Sequence, residues 1–168
     1  KKYSTPEGLF RTPSGKIEIY SDTLKKAGFD PLPSYLEPER GPIRGNNLFR
    51  KKYPLILSVG NRNLYYTHSQ HRGVSALKAI CPEGLTEMGP ETANKFGIED
   101  GDTILVESNR GRVKMKAHVD ERVAEGVVLV PHGWGGDANG NLLTDVHCRE
   151  PIMGYPDQKS LQCAIRKA

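Results

Sequence analysis

The alternation of apolar and polar residues along the chain predicts a series of short strands. Residues 15–20 set Ile17 and Ile19 between polar neighbours, and Val113, Met115, Ala117 and Val119 recur at every second position, as half-buried strands require. A short apolar run of Leu55, Ile56, Leu57 and Val59 and an almost fully apolar one at 126–131 predict buried strands, and 161–165 predicts a shorter final one. A further strand is predicted over 103–107, fed by the tight turn at 97–102, and Asn109-Arg110-Gly111 reads as a three-residue hairpin loop joining it to the alternating run at 113–119.

Helix signals are brief. Ser21 is placed to cap a short helix carrying Leu24 and Ala27, which Gly28 closes in a left-handed conformation. Ser69 is expected to cap a second helix, with Val74, Leu77 and Ile80 on one face and Pro82 as its stop. Pro90 suits the first turn of a third, closed by Gly97. From Asp30 to Lys52 the chain offers Pro31, Pro33, Pro38, Gly41, Pro42 and Gly45 with little periodicity. That span is expected to be an extended arm and linker, residues 1–52, with the compact domain starting at Tyr53 and running to 168.

About six strands with two or three short helices, and no regular strand–helix alternation, favour a mainly β closed barrel over a doubly wound sheet. Composition agrees, since 18 Gly and 12 Pro punctuate a chain of 168 residues. At about 150 residues per domain this is one compact domain with a tail, and a chain that opens at Lys1 reads as a piece of a longer protein.

The net charge of +4 comes from basic residues scattered along the chain rather than gathered in a stripe, which argues against nucleic acid as partner and suits a phosphate-bearing ligand no better than ordinary solubility. Cys81, Cys148 and Cys163 are widely spaced and odd in number, so neither a disulfide framework nor an iron–sulfur site is expected within this chain. No apolar run of roughly 18 residues is present to enter a bilayer, and no signal-peptide core precedes the first strand; the compartment stays open.

The common nucleotide fingerprints are absent: there is neither a Gly-x-Gly-x-x-Gly after a strand nor a Gly-Lys-Ser/Thr loop. A Gly-x-Ser-x-Gly elbow is missing too, and Cys81 reads as a small buried hydrophobe. His68, His71, His132 and His147 have unrelated spacings and no cysteine pair beside them, so hydrogen bonding to a ligand is favoured over a closed zinc site. Three loops, 60–72, 132–145 and 153–159, concentrate donors, acceptors and aromatics.

These loops carry a resemblance. Thr12-Pro-Ser-Gly-Lys-Ile-Glu-Ile-Tyr-Ser21 and Asp30-Pro-Leu-Pro33 are followed by Asn61-Arg62, Tyr66-Thr-His-Ser-Gln70, Met88-Gly-Pro-Glu-Thr-Ala93 and Phe96-Gly-Ile-Glu-Asp-Gly-Asp102. Ser108-Asn-Arg-Gly111, His132-Gly-Trp-Gly135, Asn141-Leu-Leu-Thr144 and Gly154-Tyr-Pro-Asp-Gln-Lys159 continue the order. Spanning nearly the whole chain, they resemble the C-terminal molybdopterin-dinucleotide-binding domain of the dimethyl-sulfoxide-reductase family of molybdopterin oxidoreductases.

The resemblance implies a double-psi β-barrel that covers a molybdenum- or tungsten-loaded bis(pyranopterin guanine dinucleotide) held mostly by earlier domains. By that analogy Asn61, Arg62, Thr67, His68, Ser69 and Gln70 contact pterin and phosphate, Trp134 and Asn141 line the pterin side, and Tyr155, Gln158 and Lys159 close the pocket. The chemistry of these residue types suits such a ligand, because amides and hydroxyls both donate and accept, and an arginine forks two bonds to a phosphate. The implied partners are the preceding domains of the same enzyme, with an electron-transfer subunit as a further candidate. The metal's protein ligand, and an iron–sulfur cluster where the enzyme carries one, are expected outside this sequence, so the isolated domain is expected to be inactive. The competing reading is a non-catalytic protein-interaction module on the same barrel.

Overall fold

The computed structural model describes residues 10–32, 34–35, 47–147, 149–150, 152–159 and 161–168. The chain divides into two compact units, residues 1–36 and 37–168.

In the first unit, helix α1 (Asp22–Lys26) is capped as its sequence predicts. The Ser21 hydroxyl accepts the Leu24 N–H at 3.2 Å, and Gly28 ends the turn at φ 83. The strand expected over 15–20 is absent: the segment is irregular and bent, with Ile17 71% and Ile19 81% exposed. Alternation makes a strand only where a second edge accepts its hydrogen bonds, and among the described residues none pairs with this segment.

The second unit is a closed barrel of β1 (Leu55–Asn61), β2 (Leu85–Met88), β3 (Thr103–Glu107), β4 (Arg112–Val119), β5 (Val127–Pro131) and β6 (Leu161–Lys167), in the order β1-β5-β2-β4-β3-β6. Two neighbouring pairs, β1–β5 and β2–β4, are parallel, and the remaining pairs are antiparallel. Advancing every strand by three, so that β1 becomes β4, β2 becomes β5 and β3 becomes β6, reproduces the same neighbours and the same parallel pairs. This pseudo-two-fold order, with parallel partners reached by crossovers, is that of a double-psi barrel. The interior is filled by alternate side chains such as Leu57, Met88, Ile104, Val113 and Val128, each at most 1% exposed, as a small closed barrel requires.

Sequence signals explain most of these elements. The β3–β4 hairpin forms as predicted, with Glu107 opposite Arg112, although its loop includes Ser108, whose N–H bonds the Gly111 carbonyl at 2.9 Å. Helix α4 (Pro90–Lys95) begins on proline and ends on Gly97 at φ 64. The Ile98 and Gly97 N–H groups close back on Ala93 and Asn94 at 2.9 and 3.2 Å, the double bond that a left-handed glycine permits after a helix.

Other expectations are corrected. No sequence signal predicts β2, because the side chains it turns inward are Thr86 and Met88 rather than a β-branched apolar pair. Within the span 30–52, expected to be extended, Asn47–Lys52 forms helix α2, which packs on β6. Pro33, Pro38, Gly41, Pro42 and Gly45 lie outside the described residues. Ser69 caps nothing: helix α3 (Ser75–Ile80) starts after Val74, because His68 and His71 both take positive φ, 56° and 70°, and turn the chain before it can coil.

Candidate functional site

β1 ends in an irregularity between Val59 and Asn61, and Gly60 sits there at φ 100. A Cβ at Gly60 would lie 2.2 Å from His132 Nε2, so the absence of a side chain lets the His132 ring lie against the strand end. β5, parallel to β1, delivers His132 at the same level, and the His132 N–H reaches the Asn61 carbonyl. Parallel pairing thus brings the loops after β1 and β5 out at one end of the barrel.

Loop 61–72 folds onto loop 132–135. The Gln70 N–H returns to the Thr67 carbonyl at 2.9 Å, closing a tight turn with His68 inside it. The Arg72 guanidinium lies 3.9 Å from the centre of the Trp134 ring, donates to the Gly133 carbonyl, and reaches the His68 carbonyl at 3.4 Å. Gly133, at φ 76, presses on this turn so closely that a Cβ would meet His68 C at 2.7 Å and Ser69 N at 2.8 Å. Tyr66 sets its edge against Trp134 at 6.1 Å and donates to the Cys81 carbonyl at 2.7 Å, which anchors the loop to the end of α3.

The result is a recess of about 140 Å³ shared by His68, His132, Gly133, Asn139, Gly140 and Asn141. Asn141 reaches it from a 3₁₀ turn (Gly140–Leu143) in which the Asn139 side chain accepts the Asn141 N–H at 3.1 Å. Burial, reinforced by the charges of His68, Lys159 and Arg62, holds His132 below the ordinary imidazole range. Arg62 and Lys159 are thus cations whose charge reaches His132. Lys159 Nζ donates to Ser58 Oγ at 3.0 Å, and the Gln158 carbonyl accepts the Val59 N–H at 2.8 Å, so residues 158–159 run along β1.

The candidate residues therefore fall into groups. His68 and Asn141 share the recess, and Asn61, Arg62, His68 and Trp134 border a neighbouring crevice. Gln158 and Lys159 flank β1, while Thr67, Ser69 and Gln70 stand exposed on the His68 turn. Tyr155 is 66% exposed, and its carbonyl accepts the Glu150 N–H at 2.7 Å; no described contact joins its side chain to the others. Arg72 carries no signal of its own in the sequence. It lies only two residues beyond the Tyr66–Gln70 motif, but its partner Gly133 is 61 positions away.

Asn61 and Arg62 also border an open cleft of about 560 Å³. Its floor includes Leu85 and Leu129, and its rim carries both signs, with Arg122 on Asp120 and Lys116 on Glu83. Among the described residues no group of three or more His, Cys, Asp or Glu side chains is arranged to hold a metal ion, and no helix is long and apolar enough to cross a membrane.

A closed barrel with pseudo-two-fold order and a polar recess at one end defines a barrel domain with a candidate ligand site. The family model described as the molydopterin dinucleotide binding domain matches residues 55–161, and the chain belongs to that family. It is 38% identical to acetylene hydratase of Syntrophotalea acetylenica over 84% of this chain and 20% of that protein. It is 32% identical to dopamine dehydroxylase of Eggerthella lenta over 94% of this chain and 17% of the relative. Dimethyl sulfoxide reductase DmsA of Escherichia coli is 36% identical over 82% of this chain and 17% of its own length. The solved structure of acetylene hydratase from Pelobacter acetylenicus superposes with a TM-score of 0.83 at 30% identity, covering 99% of this chain and 25% of that one. The chain thus spans a quarter or less of these relatives, which are larger enzymes and include a dimethyl sulfoxide reductase.

Proposed function

We propose that this chain is the C-terminal cofactor-binding domain of a molybdenum or tungsten bis(pyranopterin guanine dinucleotide) oxidoreductase. In this reading residues 1–52 lead in from the preceding domain, and the barrel from Tyr53 contacts pterin and phosphate. The observation that carries it is the recess lined by both His68 and Asn141, beside a His132 that feels the charges of Arg62 and Lys159.

The residues fit such a group. A pterin edge presents donors and acceptors side by side, each of which loses free energy if buried unmatched. An Asn amide, two imidazoles and backbone at Gly133 and Gly140 supply both kinds of partner in one recess. Arg62 and Lys159 bring positive charge for phosphates, with the arginine able to bind in a fork. Thr67, Ser69, Gln70 and Gln158 add further hydrogen-bonding groups from the flanking turns, and Asn61, Trp134 and Tyr155 complete the proposed set. When bound, the cofactor's metal and dithiolenes supply the redox chemistry, and the protein orients and tunes them. Catalysis belongs to the whole enzyme, so the 168-residue chain alone is expected to show no redox turnover. The preceding domains are its first partner, and an electron-transfer subunit its second.

The test is cofactor retention in the full-length enzyme. Asn141→Ala and His68→Ala are expected to lower bound pterin per enzyme by roughly tenfold, within about five- to about a hundredfold, since an unmatched buried partner costs about 1–3 kcal/mol and about 1.4 kcal/mol is a factor of ten. The melting temperature of the cofactor-free protein should move little, and Lys114→Ala, on an exposed position of β4, should leave retention unchanged. Wild-type retention in both recess variants would overturn the pocket and favour the interaction-module reading.

A further inference from the structure

We propose that Arg110 and Asp145 are positioning residues for the recess: the tip of the β3–β4 hairpin buttresses the segment that carries Asn141. The inference rests on the cofactor reading above.

Asn141 stands on a single 3₁₀ turn whose internal bonds are Leu142 N–H to Asn139 O at 3.0 Å and Thr144 N–H to Asn141 O at 3.3 Å. So short a turn does not hold its own geometry. On its N-terminal side Gly140 is wedged against the ends of β1 and β5, where a Cβ would lie 3.0 Å from Val59 Cγ1 and 3.3 Å from Val130 Cγ1. On its C-terminal side the support comes from the hairpin tip, residues far away in sequence.

The tip touches that segment at successive positions. Gly111 approaches Leu142 so closely that a Cβ would meet its carbonyl oxygen at 2.6 Å. Ser108 Oγ donates to the Leu143 carbonyl at 2.9 Å while accepting the Arg110 N–H at 3.1 Å, so one hydroxyl locks both the hairpin loop and the turn. The Arg110 guanidinium pairs with the Asp145 carboxylate, whose other oxygen accepts the His147 N–H at 2.9 Å. The Asp145 side chain is only 6% exposed against 37% for Arg110. A carboxylate so buried needs a charged partner to stay in place, and a solvent-facing hairpin turn needs none of these contacts. They tie the path of residues 142–147 to the rigid β3–β4 ladder, and Asn141 is held between this tie and the Gly140 wedge.

The experiment is a double-mutant cycle on bound pterin in the full-length holoenzyme. Asn141→Ala is expected to lower retention by about tenfold and Arg110→Ala by about threefold. The double variant should retain no less than Asn141→Ala alone, because a residue acting through Asn141 has nothing left to position. Arg110→Lys, which keeps the charge, should restore part of the loss, and Lys114→Ala should change nothing. Should Arg110→Ala fail to fold, Ser108→Ala, which removes the bonds to the Leu143 carbonyl and from the Arg110 N–H while leaving the Arg110–Asp145 pair, takes its place in the cycle. Losses that add in full, or that follow melting temperature alone, would reduce the tip to general scaffold and overturn the proposal. If Asn141→Ala loses cofactor while Arg110→Ala and Ser108→Ala do not, the proposal falls and the recess reading stands. If Asn141→Ala retains cofactor as the wild type does, both fall.

Discussion

The imidazole rings of His68 and His132 stack with centroids 4.7 Å apart and planes inclined by 27°. The pair joins a loop that follows β1 to one that follows β5, and it lies at the wall of the recess. His68 holds a positive φ, and His132 is admitted by a glycine, so backbone conformations that most residues disfavour set the stack.

His132 makes stability depend on pH. Its folded pKa lies below the ordinary 6.5, through burial first and then the charges of His68, Lys159 and Arg62. Between the two values the unfolded chain binds more protons, so stability rises with pH across that window; the contribution is present above 6.5 and lost as pH falls through the folded value. Melting temperatures of the cofactor-free protein from about pH 7.5 to about pH 5 should fall less steeply for His132→Asn than for wild type. Identical slopes would show that His132 does not contribute.

Gly133→Ala and Gly97→Ala separate backbone strain from steric clash. Both glycines have positive φ, but a Cβ at Gly97 meets nothing within 4 Å, whereas one at Gly133 meets main-chain atoms of His68 and Ser69. Denaturant unfolding should show a loss of about 1 kcal/mol for Gly97→Ala and about 2–4 kcal/mol for Gly133→Ala. Equal losses would mean that the two loops part at little cost.

Arg72→Ala should loosen the Trp134 loop. Trp134 is the single tryptophan of the 168 residues, and Arg72 covers one face of its ring. Its emission is expected to shift to the red, with stability lower by about 0.5–2 kcal/mol. Unchanged emission would show that the guanidinium does not shield the ring.

Cys163 is a core thiol on β6, fully buried, with its pKa pushed up to about 12 by burial. Near about pH 8 it should stay unmodified by iodoacetamide in the folded protein and react once denatured, since the thiolate is the nucleophile. Peptide mass mapping reads this, and labelling in the folded state would contradict the β6 register.

Leu57→Ala empties the barrel interior at a residue with no exposed surface. A loss of about 2–5 kcal/mol is expected in chemical denaturation, and a loss below about 1 kcal/mol would mean the barrel collapses around the gap.

What the sequence determined by itself is local. Alternation at 113–119, the turn at 109–111 and the Pro90–Gly97 bracket each state their structure within a few residues, because hydrophobic period, φ > 0 at glycine and proline's fixed φ act over that range. Motif order along the chain also made the family and the barrel legible. Pairing was not legible, because a strand needs a partner edge that its own residues do not encode. Ile17 and Ile19 alternate yet stay exposed, while Leu85–Met88 hides its role behind an inward Thr86. The recess was half legible: His68 and Asn141 lie in recognisable segments, but their meeting depends on β1 and β5 running parallel. The clamps around them, Arg72 on Gly133 across 61 positions and Arg110 on Asp145 across 35, exist only once the barrel has closed. Contacts between distant positions are set by which strands become neighbours, and that is a property of the whole packed chain.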